Sequence, residues 1–173
     1  VLYQDTVNEQ TNIFLKTSTD NGKSFSEPVR VNLLDGNVAL DGRVAPTIQL
    51  GDDGEVYVTW ANSRHEPNMF MGNYRQLVFT QSFNDGKTFE PSIIIGAEEL
   101  HSGKYFQHMS VDGYGGIHMA WLDGPAKMNA TGFMEKDKSR DRGVRYTQSL
   151  DGGVTFETTK LIDANACPCC NVQ

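Results

Sequence analysis

Cysteine is missing from everything before Cys167, so no disulfide framework staples distant parts of the chain together. Positive charge is also short. Fifteen Lys and Arg against 22 Asp and Glu leave a formal charge of −7, which argues against a general binder of the phosphate backbone; no nucleic-acid partner is expected. No apolar run approaches the roughly 18 residues of a membrane helix, so no membrane span is expected, and the residues after Val1 carry neither a basic nor an apolar leader pattern. Proline is scarce, at 6, whereas glycine reaches 17, a balance that points to many tight turns between short elements. Hydrophobic residues at 38% and aromatics at 10% exclude a disordered chain. Little in the chain argues for a helix.

What is present is a repeat. Ser18-Thr19-Asp20-Asn21-Gly22-Lys23-Ser24-Phe25 returns as Ser82-Phe83-Asn84-Asp85-Gly86-Lys87-Thr88-Phe89 and again as Ser149-Leu150-Asp151-Gly152-Gly153-Val154-Thr155-Phe156, at offsets of 64 and 67 residues. Each copy follows an alternating run (Ile13 to Thr17, Leu77 to Gln81, Val144 to Gln148), which makes it a hairpin turn. The Asp or Asn side chain accepts backbone N–H bonds, the Gly supplies positive φ and the Phe anchors the loop. A second repeat lies between these. Val56 to Trp60 and Ile117 to Trp121 are matching strands behind Gly/Asp turns at 51–54 and 112–116, with Thr47 to Leu50 and His108 to Val111 before those turns. Trp60 and Trp121 fall at equivalent positions and read as packing groups.

Four strands per period is the content of a propeller blade. The expected fold is therefore all-β: a β-propeller of four-stranded antiparallel blades, incomplete, with about two and a half blades present. The segments are 1–34, supplying strands at 12–18 and 28–34, then 46–95 and 107–162, with the start of a further blade at 168–173. Rings close with roughly 4 to 8 blades, so the remaining blades of the same protein or a complementing chain are expected partners. A free-standing β-sandwich is the competing reading, and it leaves the period of the turns unexplained.

The S-x-D-x-G-x-x-F pattern resembles the Asp-box, or BNR repeat, of the sialidase-like superfamily. Its structural positions here are Ser18, Asp20, Gly22, Phe25, Ser82, Asn84, Gly86, Phe89, Ser149, Asp151, Gly153 and Phe156; Asn84 stands where the pattern has Asp. The resemblance implies a fold and, since this turn is shared across unrelated activities, no single function. It further implies an arginine that grips a substrate carboxylate: Arg43-Val44-Ala45-Pro46 resembles a lengthened Arg-Ile-Pro motif, and a guanidinium fork suits that task. Asp123 is the matching candidate for an acid. No Tyr/Glu nucleophile pair is identifiable.

Antiparallel topology puts the Gly/Asp turns and the repeated turns at one end of the sheets, and the longer connections 35–45, 61–76, 96–106, 122–142 and 163–168 at the other. Binding groups usually sit on such connections. Asp41, His101, Lys104 and His108 are the ligand-binding candidates beside the catalytic candidates Arg43 and Asp123, and each also has the plain reading of a solvated or locally bonded side chain. Cys167, Cys169 and Cys170 form a metal or disulfide candidate, able in principle to hold a Cu or Zn ion, although two adjacent cysteines diverge in a strand. The connection from Asp123 to Arg142, with mixed charges and Met128, Phe133 and Met134, reads equally as a lid or as a solvated loop; Asn129-Ala130-Thr131 fits a glycosylation sequon. These features lead to an expected binding or scaffolding module in a secreted, extracellular or periplasmic protein, with a glycan or protein ligand. The alternatives are part of an exo-sialidase or related glycoside hydrolase, and a copper- or zinc-binding propeller.

Overall fold

The computed structural model describes residues 1–34, 36–40, 42–65, 73–97, 103–123 and 143–164. They are all-β, in antiparallel sheets, with no α-helix among the described residues. The first sheet holds β1 (Leu2–Val7), β2 (Gln10–Leu15) and β3 (Val29–Arg30). The second runs β4 (Thr47–Leu50), β5 (Val56–His65), β6 (Asn73–Ser82) and β7 (Ile93–Ile95), in that order across the sheet. The third repeats it with β8 (Lys104–Val111), β9 (Ile117–Asp123), β10 (Gly143–Ser149) and β11 (Lys160–Asp163).

Several strand expectations need correction. The first sheet has three strands, because β1 pairs with β2 over its whole length, from Leu2 against Leu15 to Val7 against Gln10. Asn8 and Glu9 make the intervening turn with φ of 52° and 64°, the left-handed pair whose twist suits a two-residue hairpin. The strand expected at 28–34 shrinks to Val29–Arg30. Conversely, β5 and β6 run on to His65 and Asn73, pairing through much of what reads as a connection at 61–76. β8 starts at Lys104, ahead of the expected 107, and absorbs the extra length in an irregularity between Tyr105 and His108, where Phe106 has φ of 51°.

Strand alternation sorts side chains onto two faces of the middle sheet. Val56, Val58, Trp60 and Val78 face the first sheet and pack with Ile13, Leu15 and Val31. Tyr57, Leu77, Phe79 and Ile95 face the third, packing with Met109, Ile117, Met119 and Trp121. Trp60 and Trp121 are both fully buried. The middle sheet is thus covered on both faces, and each outer sheet on one.

The three repeated turns share one hydrogen-bond pattern. The N–H groups of Gly22, Gly86 and Gly153 donate to the hydroxyls of Ser18, Ser82 and Ser149 at 2.8, 3.0 and 2.8 Å. The N–H groups of Ser24, Thr88 and Thr155 donate to Oδ1 of Asp20, Asn84 and Asp151 at 2.9 Å each. Asn21-Gly22, Asp85-Gly86 and Gly152-Gly153 all take successive positive φ values. At the middle sheet the repeated turn meets the Gly/Asp turn directly, Asp85 N–H donating to Gly54 O at 3.0 Å.

Candidate functional site

The end away from these turns is built by residues 36–40 and 42–46 folding back on their neighbours. Ala39 N–H donates to Ala61 O and Ser63 N–H to Asn37 O, which fixes this segment along β5. Phe106 N–H donates to Arg43 O at 2.6 Å, and the Gln107 amide donates to Ala45 O at 2.7 Å, which ties it to the start of β8. Ala39, Val44 and Ala61 form a small buried cluster with Tyr105 packed on it.

Arg43 is exposed at this end, its guanidinium carbon 4.8 Å from the centre of the Tyr105 ring. Gln107 is buried beside the same segment, and its Oε1 has no hydrogen-bond partner among the described residues. Lys104 and Asp123, read separately in the sequence as a ligand-binding and an acid candidate, lie together and are buried, at 3% and 1% exposure. Lys104 Nζ lies 3.6 Å from Asp123 Oδ1, and Arg145 Nε lies 3.2 Å from Oδ2 on the other side. Trp121 Nε1 donates to Asp123 Oδ1 at 3.3 Å, while Lys104 Nζ sits 5.5 Å from the Trp121 ring centre. One carboxylate thus joins β8, β9 and β10. The middle sheet repeats the indole contact with a neutral partner, Trp60 Nε1 donating to Asn62 Oδ1 at 2.8 Å.

His108 is exposed on β8, between the buried Gln107 and Met109. Asp41, His101, Cys167, Cys169 and Cys170 lie outside the described residues, as does the connection 124–142. Among the described residues no group of three or more His, Cys, Asp or Glu is placed to hold a metal ion.

Sequence reasoning missed a polar chain on the outer face of the third sheet. Gln148 Nε2 donates to Glu157 at 3.0 Å, which leaves Gln148 Oε1 to accept from the Tyr146 hydroxyl at 2.8 Å. His118 Nδ1 lies 2.7 Å from that hydroxyl, and its Nε2 lies 2.9 Å from Asp112 Oδ2. The bond from His118, with the N–H groups of Tyr114 and Gly116, holds the Asp112 carboxyl below its usual range. The available signal was positional: His118 and Tyr146 occupy the places of Tyr57 and Phe79 in the preceding repeat. Near the repeated turn, Gln148, Leu150, Asp151, Thr155, Phe156 and Glu157 line an open depression, on the end opposite Arg43.

No helix among the described residues is long and apolar enough to cross a membrane. No protein-family model matches the chain, and no curated protein matches its sequence. Among solved structures, an alpha-L-arabinanase of Penicillium chrysogenum, complexed with arabinobiose, is similar over 90% of this chain with a TM-score of 0.52 and 13% identity. The chain spans 43% of that arabinanase's length. At such identity the likeness concerns the fold alone, which is propeller-like: antiparallel sheets set face to face in series.

Proposed function

We propose that this chain is a segment of a sialidase-like propeller, with its three repeated turns as Asp-boxes, and that its connection end binds an acidic glycan. The observation that carries this reading is Arg43, exposed at the connection end with its guanidinium laid over the Tyr105 ring. A fork for a carboxylate and an aromatic face beside it are groups an acidic sugar uses. Lys104, Asp123 and Arg145 act behind this surface as a buried tie. A carboxylate so enclosed serves to hold strands rather than to meet a glycosidic oxygen. Secretion fits a glycan ligand and belongs to the same proposal. Cys167, Cys169 and Cys170, as a disulfide or a Cu or Zn site, are proposed to fix the start of the following strand, which elemental analysis with thiol titration tests.

Calorimetry of the full-length protein with a sialylated and a neutral arabinose-based oligosaccharide tests the binding reading. The sialylated ligand is expected to bind, Arg43→Ala to weaken it about tenfold or more, and Arg43→Lys to recover part of the loss. Equal binding of both sugars, or an unaffected Arg43→Ala, overturns it.

A second reading, part of a related glycoside hydrolase, is favoured by the fold likeness to the arabinanase. It requires release of sugar from sialosides or arabinan by the full-length protein. If Asp123 is its acid, Asp123→Asn removes turnover at temperatures where the variant is still folded and still binds the sugar.

A further inference from the structure

We propose that Phe106 is the positioning residue of the connection end: the left-handed bulge it forms in β8 holds Arg43 over the Tyr105 ring. The inference rests on the reading of Arg43 as the group that takes a carboxylate, and it names what keeps that group in place. Five non-glycine residues take positive φ among the described residues. Asn8, Glu9, Asn21 and Asp85 do so in tight turns. Phe106, with φ of 51°, is an aromatic inside a strand, where a bulky side chain makes this conformation costly and the surroundings must impose it.

Two hydrogen bonds hold the bulge. Phe106 N–H donates to Arg43 O at 2.6 Å and Gln107 Nε2 donates to Ala45 O at 2.7 Å, so the bulge clasps the segment that carries Arg43. The register shows what it achieves. Tyr105 lies opposite Leu122 and His108 opposite Ala120, which leaves Phe106 and Gln107 together against Trp121, two residues against one. In an unbroken ladder Tyr105 would fall opposite Asp123. The extra residue gives that place to Lys104, the buried ion partner of Asp123, and Tyr105 packs instead on Ala39, Val44 and Ala61. A Cβ on Gly103 would lie 2.6 Å from the Tyr105 ring, so the ring is also pressed against bare backbone, with the Arg43 guanidinium carbon 4.8 Å from its centre. The ladder of the middle sheet starts only at Thr47, the counterpart of His108, and runs unbroken to Leu50. One backbone kink, particular to the third sheet, thus sets ring, guanidinium and buried pair together.

Calorimetry of the full-length protein with a sialylated oligosaccharide, together with the NMR shift of the Arg43 Nε–H proton, tests this. Ring current moves that proton upfield only while Arg43 stays over Tyr105, with or without sugar; Tyr105→Leu identifies the signal by abolishing the shift. Phe106→Val, whose branched side chain opposes a left-handed φ, is expected to lose the upfield shift and about tenfold in affinity. Phe106→Gly takes this φ freely, and is expected to keep the shift and recover most of the affinity that valine loses, although it removes the whole side chain. Circular dichroism checks folding; Phe106→Ala, with a milder form of the same backbone penalty, replaces Phe106→Val should that variant unfold. Packing by the Phe106 side chain would give the reverse order, with glycine the worst. That order, or a valine variant that keeps shift and affinity, overturns the proposal. A wild type that binds no sialylated sugar, while the Arg43 shift is lost with valine and kept with glycine, overturns the glycan reading and supports the role of the bulge.

Discussion

Asp20 and Asp151 do the work of small folded caps, each collecting backbone and hydroxyl donors within a single turn. The Ser24 and Thr155 hydroxyls, then their N–H groups and the Ser18 and Ser149 hydroxyls, draw the two carboxyls from 3.8 down to about 2. Since the folded value lies below the unfolded one, the stabilisation is complete above about pH 4 and is lost as the pH falls through about 2. The equivalent acceptor of the middle turn is an amide: Asn84 accepts from Thr88 N–H in the same way and donates to the Thr88 hydroxyl at 2.8 Å, without a carboxyl to protonate at that position. Amide exchange at Ser24 and Thr155 should therefore quicken between pH 4 and 2 relative to Thr88, after correction for intrinsic rates. Loosening of all three turns together would contradict this. Glycine gives a second comparison. Gly22 and Gly153 have φ of 81° and 87°, but only Gly153 faces neighbours, with Phe79 ring carbons 2.9 Å from where a Cβ would lie. Gly22→Ala should cost about 1 kcal/mol for its backbone alone. Gly153→Ala should cost a further 1–3 kcal/mol or so for overpacking, measured by urea unfolding.

Between strands, the Asp123 carboxylate is the joint to test. Replacing it by Asn keeps the shape but removes the charge shared by Lys104 and Arg145, and breaking a buried ion pair typically costs about 3–5 kcal/mol. Thermal unfolding of Asp123→Asn should show a loss of that order, and Asn62→Asp in the middle sheet should not offer a compensating gain. This joint was only partly legible in the sequence. Lys104 and Asp123 could be assigned to the connection end by topology, but Arg145 arrives from across a long connection, and spacing does not show that all three lose contact with water. The repeated turns were legible because their chemistry is local: a serine, an acceptor two residues on, a glycine and an aromatic. β1 was missed because its turn is Asn8-Glu9, without the glycine that announced the others, and because Gln4, Asp5 and Thr6 blur the alternation of Leu2–Val7. Strand lengths at 61–65 and 73–76 were hidden for a related reason, since polar residues continue a ladder beyond the core as readily as they start a loop.

In the molecule as a whole, the order of the three sheets follows the order of the chain, and each sheet is made by strands that are neighbours in sequence. The face-to-face arrangement was legible once the repeat had been read, because outward and inward positions recur from one copy to the next. What covers the outermost faces was not, since exposure there depends on chemistry outside the repeat. The middle sheet's burial on both sides has a consequence for how the molecule opens. Contacts are local within a sheet and limited to nearest neighbours between sheets, so unfolding resembles the fraying of a one-dimensional array, in which an interior unit is released only after an end unit. Native-state hydrogen exchange should find the slowest amides in β5 and β6, between Val56 and Trp60 and between Leu77 and Gln81. The first sheet, with three strands and a two-residue β3, should open at the lowest free energy, ahead of the third. Evenly distributed protection across all three would instead mean that the array opens as one cooperative block.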